Sequence, residues 1–341
     1  MKNILVTGAT GFIGRTLCQA LKAQGLCVTA VARQAVAGPW DHFVGHDFAS
    51  GDAFPASALA GIDAIYHLAS KAHAVSELPG DDSGYSPIIV EGTRHLLQAA
   101  EAAGVHTFIY MSSVKAMGDA GFRQPQKEPI KAEGIKAEGF AIRHSPSAIK
   151  RHRRLTPYGM AKAEAEQLIL SSKLPHVVVL RPTMVYGSGQ KGNLDRMAEA
   201  IRKKRFPAIA ENGNQRSIVH VDNVIRACTV VAQTHQTHGK VYILAESPPL
   251  STRQIYDRLR SELGMSPTRL AIPPSLLIAL AKVGDLFGKL TRKRMPLDSD
   301  SVWKLLGSAW YDGSAIERDT EFRYQTDMPL IRHTRLSDNE G

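Results

Sequence analysis

The chain has 341 residues, enough for a sizeable core and more than one lobe, and 43% of them are hydrophobic, as in ordinary globular proteins. Its three cysteines form neither a disulfide framework nor a metal-ligand spacing, so we expect a reducing, cytoplasmic setting and no metal site. The net charge of +10 suits a protein that binds anionic nucleotides, and because no nucleic-acid-binding motif is present, nucleic acid is not an expected partner.

Neither a signal peptide nor a membrane-spanning segment is predicted. The first residues lead directly into a strand, without the apolar core of a signal sequence. The most apolar late stretch, 274–290, is interrupted by Lys282, Asp285 and Lys289 and is too short and charged to cross a bilayer. It predicts an amphipathic helix packed on the core, and weak contact with a membrane surface stays open.

The first element is a short apolar strand at 4–6, which runs through a glycine-rich turn into a helix. Gly8 permits a tight turn at the end of the strand, and Gly11 lets a diphosphate approach the backbone. Gly14 allows close packing of the helix, whose amino-terminal end favours phosphate. Glycines in a strand–turn–helix context predict a dinucleotide site, although the spacing is G-x-x-G-x-x-G.

Strands then alternate with helices through the first 180 residues. This alternation predicts an α/β fold, a Rossmann-type doubly wound parallel sheet in which ligands bind beyond the carboxyl ends of the strands. The predicted strands lie at 28–31, 43–44, 64–68, 107–111 and 177–180, and the predicted helices at 90–103 and 161–170.

The end of the second strand predicts which cofactor binds. An NAD site usually has an acid here for the ribose 2′-hydroxyl, but this chain has Ala32 followed by Arg33. An arginine can pair with a 2′-phosphate, so we expect NADP(H) rather than NAD(H). After the third strand, Asp47 could accept the adenine amino group and Phe48 could flank the ring, although a simple turn aspartate explains Asp47 as well.

The fifth strand ends in two serines, and a capped helix follows later in the chain. Thr156 can cap that helix and Pro157 can open it. Tyr158 and Lys162 are then one turn apart on the same face. An ammonium group beside a phenol lowers its pKa, and a nearby serine can hold a substrate oxygen. The set predicts proton transfer at a carbinol or carbonyl coupled to hydride transfer.

Six stretches carry a resemblance to a known family. They are Thr-Gly-Ala-Thr-Gly-Phe-Ile-Gly at 7–14, His-Leu-Ala at 67–69, Ser-Ser at 112–113, Tyr-Gly-Met-Ala-Lys at 158–162, Leu-Arg-Pro-Thr-Met-Val-Tyr-Gly at 180–187 and Ile-Val-His-Val-Asp-Asn-Val at 218–224. Together they resemble the extended short-chain dehydrogenase/reductase family, the NAD-dependent epimerases and dehydratases, over nearly the whole chain.

The resemblance implies a domain division and a set of site residues. A Rossmann domain would span 1–185, with 215–245 contributing, and a smaller α/β substrate lobe would span 186–341. The catalytic set would be Ser113, Tyr158 and Lys162. The implied cofactor contacts, beyond Arg33, Asp47 and Phe48, are Gly8, Thr10, Gly11, Phe12, Ile13, Gly14, Leu68, Ala69, Tyr158, Lys162 and Pro182. A homodimer is a further family expectation.

The second half resembles bacterial enzymes that act as 4-epimerases or 4-ketoreductases of UDP-N-acetylhexosamines in polysaccharide synthesis. That resemblance implies a nucleotide-sugar cleft lined by Lys191 and Asn193, with Arg216 pairing with the diphosphate. Two departures stand out. Ile89 replaces the asparagine usual before Val-x-Gly-Thr, and 119–155 forms an insertion with a tandem repeat and a basic run. This insertion could be a flap over the active site that contacts substrate phosphates, but we favour a solvated loop.

Three functions remain open from the sequence. The leading one is an NAD(P)-dependent epimerase or reductase acting at C4 of a UDP-sugar. The second is a hydroxysteroid- or flavonol-type carbonyl reductase on the same scaffold, because the apolar stretch 274–290 suits sterol-type relatives too. The third is a non-catalytic NADP-binding protein, which an intact Ser113, Tyr158 and Lys162 argues against.

Overall fold

The structure is a computed structural model that describes residues 1–71, 84–118, 156–187, 192–291 and 298–331. Within these residues, nine strands form two parallel sheets. The strands are β1 (Asn3–Thr7), β2 (Cys27–Ala32), β3 (His42–Gly45), β4 (Ala64–His67), β5 (Thr107–Met111), β6 (His176–Pro182), β7 (Met184–Tyr186), β8 (Ile218–His220) and β9 (Lys240–Leu244).

Helices connect the strands and build most of the carboxyl-terminal half. A single π-helical turn (Pro87–Glu91) leads into the second helix. The α-helices of the described residues are α1 (Phe12–Ala23), α2 (Gly92–Ala102), α3 (Pro157–Leu170), α4 (Asn193–Arg202), α5 (Val221–Gln233), α6 (Thr252–Glu262), α7 (Pro274–Thr291), α8 (Ser299–Leu306) and α9 (Ala315–Asp319).

The main sheet has seven strands in the order β3-β2-β1-β4-β5-β6-β9, and all of its pairs are parallel. This is the doubly wound Rossmann arrangement, so the predicted fold class is confirmed. The predicted strands all lie within observed ones or overlap them. The seventh strand, β9, comes from the stretch 215–245, and its short apolar run was not predicted from the sequence.

Helices cover both faces of this sheet, which explains why its strands are apolar runs rather than alternating ones. On one face α1 and α5 pack with buried Leu17, Leu21, Val224 and Cys228. On the other, α2 and α3 pack with their own buried apolar residues. The three cysteines are free thiols, as their spacing predicted.

The remaining residues form smaller apolar clusters. One joins α4 and α6 to Tyr186 at the end of β7, and another joins α7 to α8 through Leu277, Ala281, Val302 and Leu306. β7 and β8 form the second, two-stranded sheet. The division of the chain at 185 into a cofactor domain and a substrate lobe stays a prediction.

Local sequence signals explain where the functional helices begin. The Thr156 hydroxyl accepts a hydrogen bond from the Gly159 amide at 3.1 Å, and Pro157 is the first residue of α3, as predicted. The predicted late amphipathic helix is α7. No helix in the described part of the chain has the length and apolar character needed to cross a bilayer.

Candidate active site

The carboxyl ends of the central strands meet at one edge of the sheet. Thr7 at the end of β1 pairs with His67 at the end of β4, and His67 pairs with Tyr110 in β5. Met111, the last residue of β5, pairs with Leu180 in β6. The glycine turn after β1 and the serines after β5 therefore lie at the same edge, where ligands bind in folds of this kind.

Two of the three motif glycines are required by packing. Gly8 has φ +64°, and a Cβ there would lie 2.9 Å from the backbone of Leu68 and Ala69. A Cβ on Gly14 would meet the Gly8 carbonyl oxygen at 2.2 Å, so α1 begins directly against the turn. Gly11 is exposed and precedes α1 without a side-chain cap, which leaves the positive end of that helix open to an anion.

A directed chain of hydrogen bonds joins the ends of β1 and β4. The Thr7 hydroxyl oxygen accepts from the amides of Leu68 at 3.1 Å and Ala69 at 3.0 Å, so its proton is given to His67 Nδ1 at 2.7 Å. His67 Nε2 then donates to the Thr93 hydroxyl at 2.9 Å. This order assigns a neutral His67 with its proton on Nε2. His67 is thus a structural residue that fixes the backbone of the candidate cofactor residues Leu68 and Ala69.

The buried neutral His67 predicts an acid-sensitive fold. Burial, assisted by the Lys162 charge, lowers the pKa of His67 to about 3. Below the unfolded-state pKa of about 6.5 the unfolded chain takes up a proton that the folded chain excludes, so stability falls as the pH falls, by about 1.4 kcal/mol per pH unit. Urea unfolding of the wild type and of His67→Gln between pH 7 and 4 checks this. The effects of carboxylates cancel in the difference between the two unfolding free energies, which should change with pH. A difference that does not change with pH would contradict it.

The Tyr158 hydroxyl lies near two serines at the strand ends. It lies close enough to Ser70 after β4 and to Ser113 after β5 that both serines lower its pKa. The Ser113 oxygen also accepts from the Lys115 amide at 3.2 Å, which fixes the serine at the start of a short turn. Gly159 has no room for a Cβ, since the Lys115 carbonyl oxygen would lie 2.4 Å from it, and this contact brings α3 close to that turn.

Lys162 is almost fully buried one turn below Tyr158. Its Nζ donates to the Met111 carbonyl at 2.8 Å and lies 4.6 Å from the centre of the Tyr110 ring. Burial lowers the pKa of Lys162 to about 7, against the opposing effect of Glu166. The pKa of Tyr158 is raised by burial, more than the bonds from Ser70 and Ser113 lower it. The Lys162 ammonium is directed at Met111 and Tyr110, and its predicted lowering of the Tyr158 pKa stays a prediction.

A buried ion pair lies directly behind Lys162. Glu166, the next residue on the same face of α3, accepts from Arg181 Nε at 2.9 Å and from Arg181 Nη2 at 2.5 Å. The Ser112 hydroxyl donates to the same carboxylate. Glu166 is 0% and Arg181 2% exposed. This bidentate pair ties α3 to β5 and β6 and so fixes the helix that carries Tyr158 and Lys162.

Residues predicted for the adenosine end lie around the ends of β2 and β3. Arg33 is exposed directly after β2. Asp47 is exposed, and its carboxylate accepts from the Ala49 amide at 3.0 Å, which makes it a turn aspartate. Phe48 is 8% exposed and lies against Gly92. Its ring therefore packs in the hydrophobic core. The cofactor roles of Arg33, Asp47 and Phe48 stay predictions.

Arg216 lines a cavity of about 340 Å³. Its Nη1 donates to the Lys304 carbonyl at 2.7 Å, at the end of α8. Two other cations, Arg196 and Lys304, line the same cavity. The remaining lining is mostly apolar, from Met184, Leu194, Met197, Phe206, Ile255 and Leu305, with Thr252. A cavity with an apolar wall and several cations fits an anionic ligand that carries a flat or apolar group.

Some predictions cannot be placed in the structure. Lys191, the side chain of Asn193 and the insertion 119–155 lie outside the described residues. Ile89, which departs from the family pattern, belongs to the π-helical turn and is buried in the core. Among the described residues, no group of three or more acidic, histidine or cysteine side chains has the arrangement of a metal site.

Several residues that shape the site were not predicted as part of it. Glu166 continues the i, i+4 spacing of Tyr158 and Lys162, so extending that pattern by one turn would have found it. Thr7 and Arg181 lie inside quoted motifs, but their buried hydrogen bonds depend on neighbours far apart in the sequence. Ser70 and the Met111 carbonyl carry no sequence signal for their contacts.

Fold and site together define a dinucleotide-binding enzyme of the Rossmann type with a serine, tyrosine and lysine at the strand ends. The sequence profile of the NAD dependent epimerase/dehydratase family matches residues 4–245. The chain belongs to this family, which confirms the resemblance read from its motifs. It is therefore an NAD(P)-dependent enzyme of the epimerase and oxidoreductase type.

Individual relatives are distant but extend over most of the chain. A 2-alkyl-3-oxoalkanoate reductase of Stenotrophomonas maltophilia is 27% identical, covering 93% of each chain. A UDP-glucose 4-epimerase of Vibrio cholerae is 27% identical, covering 91% of this chain and 87% of its own. The crystal structure of UDP-glucuronic acid 4-epimerase from Bacillus cereus in complex with NAD matches with a TM-score of 0.67 at 20% identity, covering 96% of this chain and 95% of its own, and supports the fold.

Proposed function

We propose that this protein is a nicotinamide-dependent epimerase or reductase that acts at C4 of a UDP-sugar. The observation that carries the proposal is the contact between Ser113 and Tyr158 at the strand edge that also bears the glycine turn. A hydroxyl pair at this edge can hold a carbinol oxygen and exchange its proton. The cationic cavity beside Arg216 supports the substrate class, because its cations suit a diphosphate.

The chain's own residues divide the proposed work. Tyr158 exchanges the proton of the substrate hydroxyl, and Ser113 holds the same oxygen. Lys162 binds the ribose next to the nicotinamide, from the position that its bond to the Met111 carbonyl gives it. The nicotinamide, when bound, supplies hydride exchange.

The residues at the glycine turn fit a dinucleotide. Gly8 and Gly14 fold the turn against β4 and α1, and exposed Gly11 leaves space for a diphosphate over the helix end. We propose NADP(H) as the preferred cofactor, on the strength of exposed Arg33 after Ala32. The solved Bacillus cereus relative holds NAD, so the preference needs a direct test.

Replacing Arg33 with alanine is expected to weaken NADPH binding about tenfold or more and to change NADH binding little, because the side chain meets only the 2′-phosphate. Quenching of protein fluorescence by each nucleotide measures both constants. Arg202→Ala, an exposed arginine on α4, is the matched control. Equal effects on the two nucleotides, or tighter NADH binding by the wild type, would contradict the NADP preference.

Arg216 provides the test of the substrate class. Arg216→Ala is expected to raise the dissociation constant for UDP about tenfold or more, because one charge-assisted bond to phosphate is lost. Calorimetric titration with UDP measures it, and NADPH binding serves as the control for folding. Unchanged UDP affinity would remove the diphosphate assignment.

A carbonyl reductase of apolar substrates is the second candidate. The mostly apolar lining of the Arg216 cavity and the 27% identity to a 2-alkyl-3-oxoalkanoate reductase favour it. An apolar ketone needs no phosphate ligand, so its turnover would be unaffected by Arg216→Ala. A wild type that reduces such a ketone and does not bind UDP would select this candidate.

A further inference from the structure

Helix α7 presents an apolar stripe on the outside of the molecule. Leu276, Leu280, Val283 and Leu286 are between 44% and 59% exposed, and their spacing places them on one side of the helix. Leu270, just before the helix, is 88% exposed. Of the nine large apolar side chains exposed in the described parts of the chain, six lie between Leu270 and Phe287. Such a concentration marks a docking surface.

The opposite side of α7 is fixed to the protein. Leu277 and Ala281 are buried against Val302 and Leu306 of α8. The Asp285 carboxylate accepts from the Ser299 amide at 3.0 Å and from its hydroxyl at 2.5 Å, at the start of α8. The stripe therefore faces outward because the other face is already packed, and a rotation that buried it would break this cluster.

The segment that carries the stripe has more positive than negative charges. Between residues 266 and 291 the sequence has one acid, Asp285, and that carboxylate is directed to Ser299. Arg269 and Lys282 are exposed beside the stripe, and the whole chain carries a net charge of +10. An apolar face flanked by cations complements a surface that is apolar inside and anionic at its rim.

The size of the stripe also selects its occupant. The exposed parts of the six apolar side chains between Leu270 and Phe287 form a patch on the order of 500 Å². A stable dimer buries about 800 Å² on each partner. A helix lying in a bilayer interface needs no matching shape opposite it. We propose that α7 docks the protein on an anionic lipid bilayer, lying in the headgroup region without crossing it.

Docking through α7 would place the substrate cavity near the membrane. α8 packs against α7 on one side, and its Lys304 and Leu305 line the Arg216 cavity on the other. The cavity thus lies one helix away from the docked surface. This position favours substrates or products that are exchanged at a membrane.

Sedimentation with vesicles tests the proposal on the full chain. Phosphatidylcholine vesicles with about 30% phosphatidylglycerol are expected to bind the wild type, and pure phosphatidylcholine to bind it less. The triple change Leu280→Ser, Val283→Ser and Leu286→Ser is expected to weaken vesicle binding about a hundredfold. Its melting temperature and NADPH binding should match the wild type, because these side chains face solvent.

A matched pair of single changes separates the stripe from general surface hydrophobicity. Val283 is 52% and Val36 50% exposed, so Val283→Ser should weaken vesicle binding and Val36→Ser should not. Equal effects of the two changes, or no binding of the wild type to anionic vesicles, would overturn the proposal. Analytical ultracentrifugation tests the alternative occupant, a second copy of the chain. A wild type that is dimeric and does not bind vesicles, with a triple variant that is monomeric, would assign the stripe to dimerisation and overturn the proposal.

Discussion

Replacing Tyr158 with phenylalanine is expected to lower turnover by a factor of about 10²–10⁴, because the proton-exchanging hydroxyl is lost. The ring contacts of α3 remain, so the binding of NADPH and the melting temperature should change little. Steady-state turnover on the identified substrate and fluorescence titration with NADPH measure the two effects separately. The largest loss is expected at this residue because its hydroxyl lies beside both Ser70 and Ser113.

Tyr85 provides the control for this experiment. Its ring lies 5.5 Å from the Tyr158 ring, and its own buried hydroxyl has no hydrogen-bond partner among the described residues. Tyr85→Phe therefore removes a hydroxyl oxygen from the neighbouring ring, and most of the turnover should remain. A Tyr158→Phe protein that keeps more than about a tenth of wild-type turnover would sink the assignment of the tyrosine as the proton-exchanging group.

Replacing Arg181 with methionine is expected to cost about 3–5 kcal/mol of unfolding free energy, because it leaves the Glu166 carboxylate buried without its cation. Both side chains are almost inaccessible to water, so solvent cannot compensate. Urea unfolding at pH 7 measures the loss. The double variant Glu166→Gln with Arg181→Met should regain much of it, since neither partner of the pair is then left as an unpaired buried charge.

An exposed pair offers the comparison for Arg181. Arg202 and Glu199 form a similar bidentate pair on the surface of α4, where water screens both charges. Arg202→Met should therefore change the stability far less. If Arg181→Met cost no more than Arg202→Met, the buried pair could not be what fixes α3.

The sequence predicted the strands of the Rossmann sheet because they are continuous apolar runs between helices. It missed β9, although its residues belong to the same sheet, because a five-residue run shows no periodicity of its own. The placement of Tyr158 and Lys162 one turn apart on α3 could be predicted because it depends only on helical spacing and a cap. Their surroundings could not, because the contacts of Lys162 with Met111 and of Glu166 with Arg181 join separate elements.

The electrostatics of the site was the least predictable part. Sequence spacing predicts that Lys162 lowers the pKa of Tyr158, but burial affects both groups first. It raises the pKa of the phenol and lowers that of the ammonium to about 7. The direction of these pKa shifts depends on how deeply each group is buried. That burial results from the packing of α2 and α3 on the sheet.

The most direct test follows the hydrogen at C4. The protein is incubated with UDP-hexoses that carry deuterium at C4, together with NAD or NADP, and the products are examined by NMR and mass spectrometry. The proposed function predicts either a C4 epimer of the sugar nucleotide or deuterium transferred to the nicotinamide, and loss of both in Tyr158→Phe. If every UDP-hexose tested kept both its configuration and its deuterium at C4 in the presence of the wild type, the proposed function would be contradicted.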